Sequence, residues 1–559
     1  MSSRPLRELP VLVLDCQASG ANPTRGALLE AGWTVCDARG PLAPIVAHWI
    51  IPPSGHQVPP VVRRLTGWSE DCLAGALAAE RAWAYLTESA ASIPTIQIPT
   101  IPAPTVIHYA SFELPFLRDL HERAGCGERF PLDVLCLHAM ARRLYPELPR
   151  RGLRALSGFL GHSPELLRRS AGHVEASAFV WRELVPVLED EGVGTWDDLR
   201  AWLQAPAPRR GRLVYPMAIE KRRALPDAPG VYRFVRSNGD ILYVGKAASL
   251  KRRVPSHFAP GARKVERALE MLTQARDVVV TTTATALEAA LLECDEIKRL
   301  DPPYNVQLRQ GERRVWFASA RLDDASSRPD RAHSVGPLPS ERALSGFAGL
   351  GALVSGAEAT DTLRAHAVGV PPAFAPHGAL FDEVWPGFVA FHRLRDTRRG
   401  VPWPSMMRAA RALFRARGGP DVDDDAPPGG WDPGGVRRHL DRNLLRGGHL
   451  VRRARWLCVF CNCSIAFREA GDGAPHRLLV VARGEIALQR GWDAQSPLPA
   501  PVRLSWSERQ GSFDAIKYDR IRVLVTELER VHHEGGFVAV RLPEAELRGD
   551  RVARVLRWA

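Results

Sequence analysis

Near the middle of the chain, two short β-prone runs are separated by a dipeptide that favours a tight turn. The runs cover residues 229–235 and 241–245, and Asn238-Gly239 lies between them. This pattern is a strong short-range indication of a β-hairpin. The hairpin places Tyr232 and Tyr243 on adjacent strands, and we predict a small α/β unit over residues 216–310.

The first helix expected after the hairpin begins at Ser249. It carries Arg253 and His257, which are four residues apart and therefore share one face. Pro255 lies between them, and a proline inside a helix removes a backbone hydrogen bond and bends the axis. The sequence therefore leaves the relative orientation of Arg253 and His257 open.

A second helix is predicted where Thr285-Ala-Leu-Glu288 has the form of a capping box. We expect this helix to continue through Leu300, with an apolar stripe formed by Leu287, Ala290, Leu291, Cys294 and Ile297. Glu293 lies at the edge of the stripe. Its carboxylate can therefore point inward, toward the sheet.

The basic residues are distributed unevenly by type. Lys and Arg number 75 against 62 Asp and Glu, which gives a net charge of +13. Five of the six lysines fall between residues 221 and 298 (Lys221, Lys246, Lys251, Lys264 and Lys298), and residues 221–310 alone carry a net charge of +6. This clustering indicates a function that needs the compact ammonium of lysine and not the planar guanidinium of arginine. The alternative is a basic surface that is simply exposed to solvent.

In this order, the residues closely resemble the GIY-YIG nuclease module, in the form found in the UvrC-type excision-repair nuclease and in its short homologue Cho. The resemblance covers roughly 90 residues. It rests on Gly230-Val-Tyr232, Tyr243-Val-Gly245, Lys246, Arg253, Glu293 and Pro303-Tyr-Asn305. A linear frame of this kind is far more specific than a single short motif.

The resemblance implies metal-dependent hydrolysis of a DNA phosphodiester. That reaction needs a base for water, a cation for the charge that grows on phosphorus, and help for the leaving oxygen. On this basis Glu293 holds a single Mg²⁺ or Mn²⁺ ion. Tyr232 deprotonates the attacking water, aided by Lys246, which favours the phenolate, and Tyr243 orients the water or the substrate.

Three further residues complete the implied site. Arg253 clamps the scissile phosphate, and Asn305 supports the site through hydrogen bonds. His257 stands where the UvrC type usually has tyrosine and where the Cho type has histidine. An imidazole at this position can share the role of base at neutral pH.

The first 195 residues show strands and helices in an order that suggests an α/β domain. Strands are predicted at 9–14, 28–35 and 105–108, and helices at 112–123, 131–145 and 171–188. The alternating Ala-Pro and Arg-rich segment that follows indicates a linker over residues 196–215.

This region resembles the DnaQ-like proofreading exonucleases, especially the exonuclease X type with a DEDDh active site. The matching segments are Val11-Leu-Val-Leu-Asp15-Cys-Gln17, Leu28-Leu-Glu30, Val106-Ile-His108-Tyr-Ala-Ser-Phe-Glu113 and Met140-Ala-Arg-Arg-Leu-Tyr145. The resemblance implies an RNase H-like fold in which four acidic ligands surround two metal ions and a histidine serves as base.

Most of that ligand set is altered in this chain. The first motif reads Asp15-Cys-Gln17, so a neutral amide replaces one carboxylate. Glu113 and Glu175 stand where the family has aspartates, and Ser170 aligns with the histidine; His173 follows three residues later. Because such metal sites depend on accurate ligand placement, we expect a domain kept for DNA holding or packing, with exonuclease activity lost or weak. The alternative is a rewired site built from Asp15, Glu113 and Glu175.

The C-terminal region, residues 311–559, is expected to be α+β with a fold that the sequence does not identify. A loop or linker is predicted at 418–435, and two strands are predicted on either side of residues 471–475. Cys458, Cys461 and Cys463 either begin a zinc or iron–sulfur site or pack in a buried β-run over 456–467. The Arg-rich run at 437–455 is equally compatible with phosphate contacts and with the wet face of a helix.

The chain is therefore predicted to be an α/β multidomain, structure-selective DNA endonuclease of DNA repair, plausibly nucleotide excision repair. One alternative is a two-activity nuclease whose N-terminal domain trims 3′ ends, and another is a non-catalytic DNA-binding adaptor. The expected partners are DNA and damage-recognition proteins of the UvrA/UvrB type. No long apolar run, signal peptide or disulfide framework is evident, so we expect a cytoplasmic protein without a membrane partner.

Overall fold

The computed structural model describes residues 4–93, 102–125, 127, 129–163, 167–206, 213–259, 265–308, 314–395, 402–417, 431–471 and 473–556. Helices and four separate sheets make up this part of the chain, which confirms the predicted α/β multidomain class. Within the same ranges, no helix combines the length and the apolar character needed to span a bilayer.

The N-terminal region is built on one mixed sheet. Its strands are β1 (Val11–Ala18), β2 (Leu28–Cys36), β3 (Val46–Trp49), β4 (Ala103–Ile107) and β5 (Leu132–Cys136). They lie in the order β3-β2-β1-β4-β5. The pairings β3-β2 and β2-β1 are antiparallel, whereas β1, β4 and β5 run parallel.

Helices cover both faces of this sheet. They are α1 (Pro60–Thr66), α2 (Ala79–Ala91), α3 (Ala110–Arg123), α4 (Leu137–Leu144), α5 (Leu153–Leu160), α6 (Ser170–Asp190) and α7 (Trp196–Gln204). Side chains along β1 alternate between two buried clusters: Val11 and Val13 pack with α6, and Leu12 and Leu14 pack with α2 and α3. This alternation is the pleat of a strand that is buried on both faces.

Residues 131–145 do not form the single helix that the sequence predicts. Leu132–Cys136 form strand β5, and only Leu137–Leu144 are helical. The apolar spacing fits a helix locally, but strand β4 offers a parallel backbone partner from Ala103 to Ile107. That tertiary pairing overrides the local pattern.

The predicted linker over 196–215 also begins as a helix. The Thr195 side chain accepts a hydrogen bond from the Asp198 backbone N–H, and Trp196 and Leu199 are buried against the N-terminal core. Helix α7 therefore belongs to the N-terminal domain. Residues 207–212 of the predicted linker lie outside the described part of the chain.

The central region has a three-stranded antiparallel sheet. Its strands are β6 (Gly230–Val235), β7 (Ile241–Ala247) and β8 (Asp277–Thr282), in the order β7-β6-β8. The helices are α8 (Ile219–Arg223), α9 (Leu250–Ser256), α10 (Glu266–Gln274) and α11 (Ala286–Leu300). The predicted hairpin is confirmed, with Gly239 at φ 92° in its turn. The predicted cap is also present, because the Thr285 side chain accepts a hydrogen bond from the Glu288 N–H.

The C-terminal region opens with a small antiparallel sheet followed by a helical layer. The sheet consists of β9 (Trp316–Ala318), β10 (Ala325–Ser326) and β11 (Val335–Leu338). The helices are α12 (Ser345–Val354), α13 (Asp361–Val368), α14 (Gly378–His392), α15 (Trp403–Arg417) and α16 (Pro433–Phe460). The Arg-rich run at 437–455 lies on α16.

A five-stranded antiparallel sheet closes the chain. Its strands are β12 (Cys463–Arg468), β13 (Arg477–Ala482), β14 (Glu485–Gly491), β15 (Phe537–Arg541) and β16 (Glu546–Arg548), in the order β14-β13-β12-β15-β16. It packs with α17 (Trp506–Gly511), α18 (Ala515–His533) and α19 (Asp550–Leu556). Antiparallel pairing of β12 with β13 confirms the two strands predicted around residues 471–475.

Two C-terminal expectations need correction. Residues 456–467 are not one β-run, because α16 continues to Phe460 and β12 begins at Cys463. The predicted loop at 418–435 ends earlier than expected, since Asp432 caps α16 through its side chain and residues 433–435 are helical. Residues 418–430 lie outside the described part of the chain.

Helix α11 joins the central and C-terminal regions. Leu287 and Leu291 share a buried cluster with residues of α18 and of the five-stranded sheet. Lys298 forms a 2.6 Å ion pair with Asp519 of α18, with side chains only 3% and 2% exposed. A buried pair of this kind is strongly destabilised if one partner is lost, so the two regions are held tightly at this helix.

Candidate active site

Tyr232 lies at the centre of the hairpin and is fully buried. It pairs across the sheet with Gly245 of β7. A Cβ atom at position 245 would lie 2.5 Å from Tyr232 Oη, far inside van der Waals contact. Glycine is therefore required at this position because the phenol lies directly against the neighbouring strand.

His257 approaches the same phenol from helix α9. Pro255 falls in the last turn of α9, so the helix ends at Ser256 and His257 follows as its C-cap residue. Tyr232 Oη lies 2.7 Å from His257 Nε2. Burial raises the pKa of Tyr232, and nearby Tyr243 raises it further. The neutral form of the phenol is therefore favoured, and the tautomer of the imidazole sets which of the two groups donates.

Glu293 approaches the hairpin from helix α11. Its Oε1 accepts a hydrogen bond from the Lys246 backbone N–H at 2.9 Å. Among the described residues, no donor bonds its second carboxylate oxygen. Burial raises the pKa of Glu293, while nearby Lys246 lowers it.

The side chain of Lys246 differs from the expected arrangement. The sequence predicts that this ammonium favours the Tyr232 phenolate, but its Nζ forms an ion pair with Glu527 of α18. The cation that lowers the Tyr232 pKa is instead Arg253. Lys246 therefore faces the C-terminal domain, a partner that cannot be inferred from the central region alone.

Asn305 forms two hydrogen bonds with the backbone of strand β7. Its Oδ1 accepts a hydrogen bond from Val244 N at 3.0 Å, and its Nδ2 donates one to Val244 O at 2.9 Å. Val244 lies between Tyr243 and Gly245, so the buried amide fixes the backbone of the second tyrosine motif. Asn305 is placed to support the site and is not part of the cavity wall.

The site opens into a cavity of about 710 Å³. Five of the residues predicted from the sequence line it together: Tyr232, Tyr243, Lys246, Arg253 and Glu293. Sequence reasoning missed the C-terminal part of the wall, which consists of Glu527, Arg530 and Glu534 on or next to helix α18. Glu527 lies 281 positions from Lys246, and no local pattern marks it.

In the second candidate site, in the N-terminal domain, the predicted residues form hydrogen bonds with one another and with the backbone. Asp15 Oδ1 lies 3.0 Å from His173 Nδ1, and Gln17 Nε2 donates to Asp15 Oδ2 at 3.5 Å. Glu113 is buried, and its Oε2 accepts a hydrogen bond from Cys16 N at 2.8 Å. Burial and the nearby Asp15 carboxylate raise the pKa of Glu113.

Ser170 and Glu175 do not join this group. Ser170 is fully buried, and a Cβ atom on Gly32 would lie 2.8 Å from its Oγ. Glu175 is exposed and lines a separate cavity of about 690 Å³ together with Thr34 and Phe179. Across the described ranges, no cluster of three or more His, Cys, Asp or Glu side chains is placed to hold a metal ion.

The cysteine trio is packed inside the C-terminal domain. Cys458, Cys461 and Cys463 are fully buried. Their thiols lie 3.1–3.5 Å from the backbone carbonyl oxygens of Gly336, Cys458 and Phe460. Burial raises the pKa of all three thiols, so the neutral form is favoured. This environment is that of small apolar side chains in a core.

Comparison with known proteins identifies the central region. Residues 228–306 match the UvrC-like GIY-YIG domain family. UvrABC system protein C of Alkalilimnicola ehrlichii is 42% identical over 129 residues, which cover 22% of this chain and 21% of that protein. The GIY-YIG N-terminal endonuclease domain of UvrC from Thermotoga maritima, solved with bound magnesium, is 32% identical. That match covers 16% of this chain and 93% of the domain, with a TM-score of 0.15.

Other matches extend over more of the chain. A Mycobacterium tuberculosis protein, MT2247, whose name describes it as a candidate bifunctional exonuclease/endonuclease, is 29% identical over 353 residues. The match covers 60% of this chain and 51% of that protein, so the chain spans about half of its length. Escherichia coli exonuclease I in complex with a dA16 oligonucleotide matches 40% of this chain and 48% of its own, at 12% identity and a TM-score of 0.29.

The hairpin, helix α11 and the family match define residues 228–306 as a GIY-YIG domain. The domain is of the UvrC-like type, and the chain joins it to an exonuclease-like N-terminal region.

Proposed function

We propose that this chain is a divalent-metal-dependent, structure-selective DNA endonuclease that hydrolyses a phosphodiester in the cavity of its GIY-YIG domain. One observation carries the proposal: phenol, cationic and carboxylate side chains line the same cavity, among them Tyr232, Tyr243, Lys246, Arg253 and Glu293. These are the groups needed for proton transfer, for charge on phosphorus and for a metal ion.

The proposed proton path runs from water to Tyr232 and on to His257. The buried phenol is neutral, so it acts as a base only if its own proton leaves at the same time. The imidazole Nε2, 2.7 Å away, is placed to accept that proton. Water loses a proton to Tyr232 Oη, Tyr232 loses its proton to His257, and the resulting hydroxide attacks phosphorus.

A divalent metal ion fits Glu293. One carboxylate oxygen is held by the Lys246 backbone, and the other has no donor among the described residues. A carboxylate oxygen at the wall of an open cavity suits Mg²⁺ or Mn²⁺, since such ions keep several waters and take few protein ligands. When bound, the ion supplies positive charge for the leaving oxygen. The magnesium-bound Thermotoga maritima domain supports this assignment.

Arg253 and Lys246 are proposed to contact the DNA phosphates. Both line the cavity, and Arg253 on α9 is exposed. A guanidinium can bind a phosphate in a bidentate manner, whereas an ammonium acts as a point charge. The net charge of +13 supports a polyanionic substrate.

We place this activity in DNA repair, and specifically in nucleotide excision repair, because the domain is of the UvrC-like type. The proposed partners are damage-recognition proteins of the UvrA/UvrB type. The N-terminal domain is proposed to hold DNA without cutting it, because the Asp15 and Glu113 side chains are engaged internally and Glu175 lies in a separate cavity.

The test is nicking of end-labelled duplexes, with and without a bulky lesion, in Mg²⁺ and in Mn²⁺. The wild type is compared with Glu293→Ala and Asp15→Ala. Glu266→Ala is the matched control, since this exposed carboxylate lies on α10 of the same domain, outside the cavity. We expect an internal cut that requires metal, disappears in Glu293→Ala, and persists in the other two variants.

Two results contradict the proposal. A cut that survives Glu293→Ala removes the GIY-YIG cavity as the active site. A ladder of 3′-shortened products that disappears in Asp15→Ala assigns the activity to the N-terminal domain instead. Faster cutting of the lesion-bearing duplex than of the plain duplex supports the repair assignment, and equal rates contradict it.

A further inference from the structure

Helix α18 of the C-terminal domain reaches into the endonuclease cavity through Glu527. One carboxylate oxygen of Glu527 pairs with Lys246 Nζ. The other accepts a hydrogen bond from Arg530 Nε at 2.7 Å. The Glu527 side chain is 8% exposed, so its charge is compensated by two cations in a largely dry setting.

Arg530 continues the network to the start of helix α11. Its Nη2 donates to Glu469 Oε1 at 2.9 Å. The Glu469 carboxylate in turn accepts from the backbone N–H groups of Ala286 at 3.1 Å and Leu287 at 3.0 Å. N–H groups in the first turn of a helix have no acceptor within the helix itself, and a negative charge next to them is stabilising.

The network returns to Lys246 through helix α11. Helix α11 carries Glu293, and Glu293 accepts a hydrogen bond from the Lys246 backbone. Lys246 is thus held at its backbone by the central domain and at its ammonium by the C-terminal domain. The first attachment comes from α11 directly, and the second comes from Glu527 of α18, which is connected to the first turn of α11 through Arg530 and Glu469.

A lysine side chain loses rotamer entropy when its ammonium is held in one place. The pair with Glu527 holds Nζ before DNA arrives, at the wall of the cavity that also contains Arg253 and Glu293. Ordering a group in advance makes the later reaction faster.

We propose, on the basis of the endonuclease function above, that Glu527 is a positioning residue which sets Lys246 for phosphodiester hydrolysis. The C-terminal domain thereby completes the active site of the GIY-YIG domain. Lys246 contacts the substrate, and Glu527 acts through Lys246.

The experiment uses the full chain with Glu527→Gln, which keeps the size of the side chain and removes its charge. We expect kcat for nicking to fall about tenfold, with KM changed less than twofold, because positioning affects the reaction step more than DNA binding. Glu485→Gln is the control: it removes a carboxylate paired with Arg520 on the same helix, and we expect no change in either constant.

A second readout follows the pair without catalysis. The Lys246 side chain is 41% exposed, so an amine-reactive acylating reagent can label it, with mass spectrometry as the detector. We expect faster labelling of Lys246 in Glu527→Gln than in the wild type and in Glu485→Gln. If Glu527→Gln fails to fold, Arg530→Gln replaces it; loss of the link to Glu469 is expected to lower kcat about threefold.

Each outcome decides the proposal. An unchanged kcat in a folded Glu527→Gln, or unchanged labelling of Lys246, overturns it. A higher kcat also overturns it, since the pair would then restrain Lys246 from the substrate. A wild type that cuts no duplex rejects the endonuclease function itself, and the positioning role with it, whereas an active wild type with an insensitive Glu527→Gln rejects the positioning role alone.

Discussion

Tyr232 Oη and His257 Nε2 are 2.7 Å apart, although one belongs to a strand and the other follows a helix that is cut short by Pro255. In the proposed mechanism, this contact lets a fully buried phenol pass its proton to the imidazole. A tyrosine whose pKa is raised by burial cannot be the base without such an acceptor. We therefore expect the pH dependence of nicking to depend on the contact between Tyr232 and His257.

Replacement of His257 by phenylalanine tests this relation. We expect nicking at pH 7 to fall by about 100-fold, the lower end of the range for loss of a general acid–base group. The remaining activity should rise with pH, because hydroxide must then remove the phenol proton, whose pKa is raised. The measurement is a pH–rate profile; a profile parallel to that of the wild type would show that His257 takes no part in proton transfer.

Gly245→Ala is predicted to damage both stability and activity. The new Cβ would lie 2.5 Å from Tyr232 Oη, so the phenol or strand β7 must move. We expect a loss of about 1–3 kcal/mol in the free energy of unfolding, together with loss of nicking. Gly75→Ala is the control, since its Cβ would meet no heavy atom within 4 Å. Denaturant unfolding that is identical for the two variants would contradict the prediction.

The Lys298–Asp519 pair is predicted to hold the central and C-terminal regions together. Asp519→Asn removes the carboxylate that lies 2.6 Å from an ammonium which is 3% exposed, at an expected cost of about 3–5 kcal/mol. The double variant Lys298→Met with Asp519→Leu should recover much of that loss. An exposed pair provides the control: Lys221→Met breaks a contact with Asp277 and should cost under about 1 kcal/mol. Equal costs in urea denaturation would refute the role of burial.

Acid sensitivity is expected from His449 on helix α16. Burial lowers the pKa of this imidazole to about 4, so the unfolded chain binds a proton below pH 6.5 that the folded chain does not. Its contribution to stability is therefore complete above pH 6.5 and declines toward pH 4, by about 1.4 kcal/mol per pH unit. His449→Gln should flatten the pH dependence of unfolding over this interval, while His533→Gln, at an exposed position, should leave it unchanged.

The parts of the fold that the sequence predicted correctly are governed by neighbouring residues. The hairpin follows from a turn dipeptide between β-prone runs, and the start of helix α11 follows from the Thr285 cap. Strand β5 was missed because its five residues form a strand only where β4 offers a parallel partner. Local spacing does not contain that information.

The same distinction applies to the active site. The resemblance to the UvrC type is confirmed, and Tyr232, Tyr243, Arg253 and Glu293 converge because a hairpin and two adjacent helices carry them. Their chemical roles stay predictions. The partner of the Lys246 ammonium could not be predicted, because Glu527 lies 281 positions away on a helix with no recognisable motif.

The apolar face of helix α11 has a consequence for synthesis of the chain. Leu287 and Leu291 pack against α18, and the contact between Asp295 and Arg520 spans 225 positions. A ribosome that adds about 5–20 residues per second needs roughly 10–45 s to cover that distance. During this interval Ala289, Cys294 and Ile297 of the helix already pack with the hairpin, whereas Leu287 and Leu291 lack their C-terminal partners. The face of the helix that carries Leu287 and Leu291 is therefore buried only after the C-terminal domain has been made.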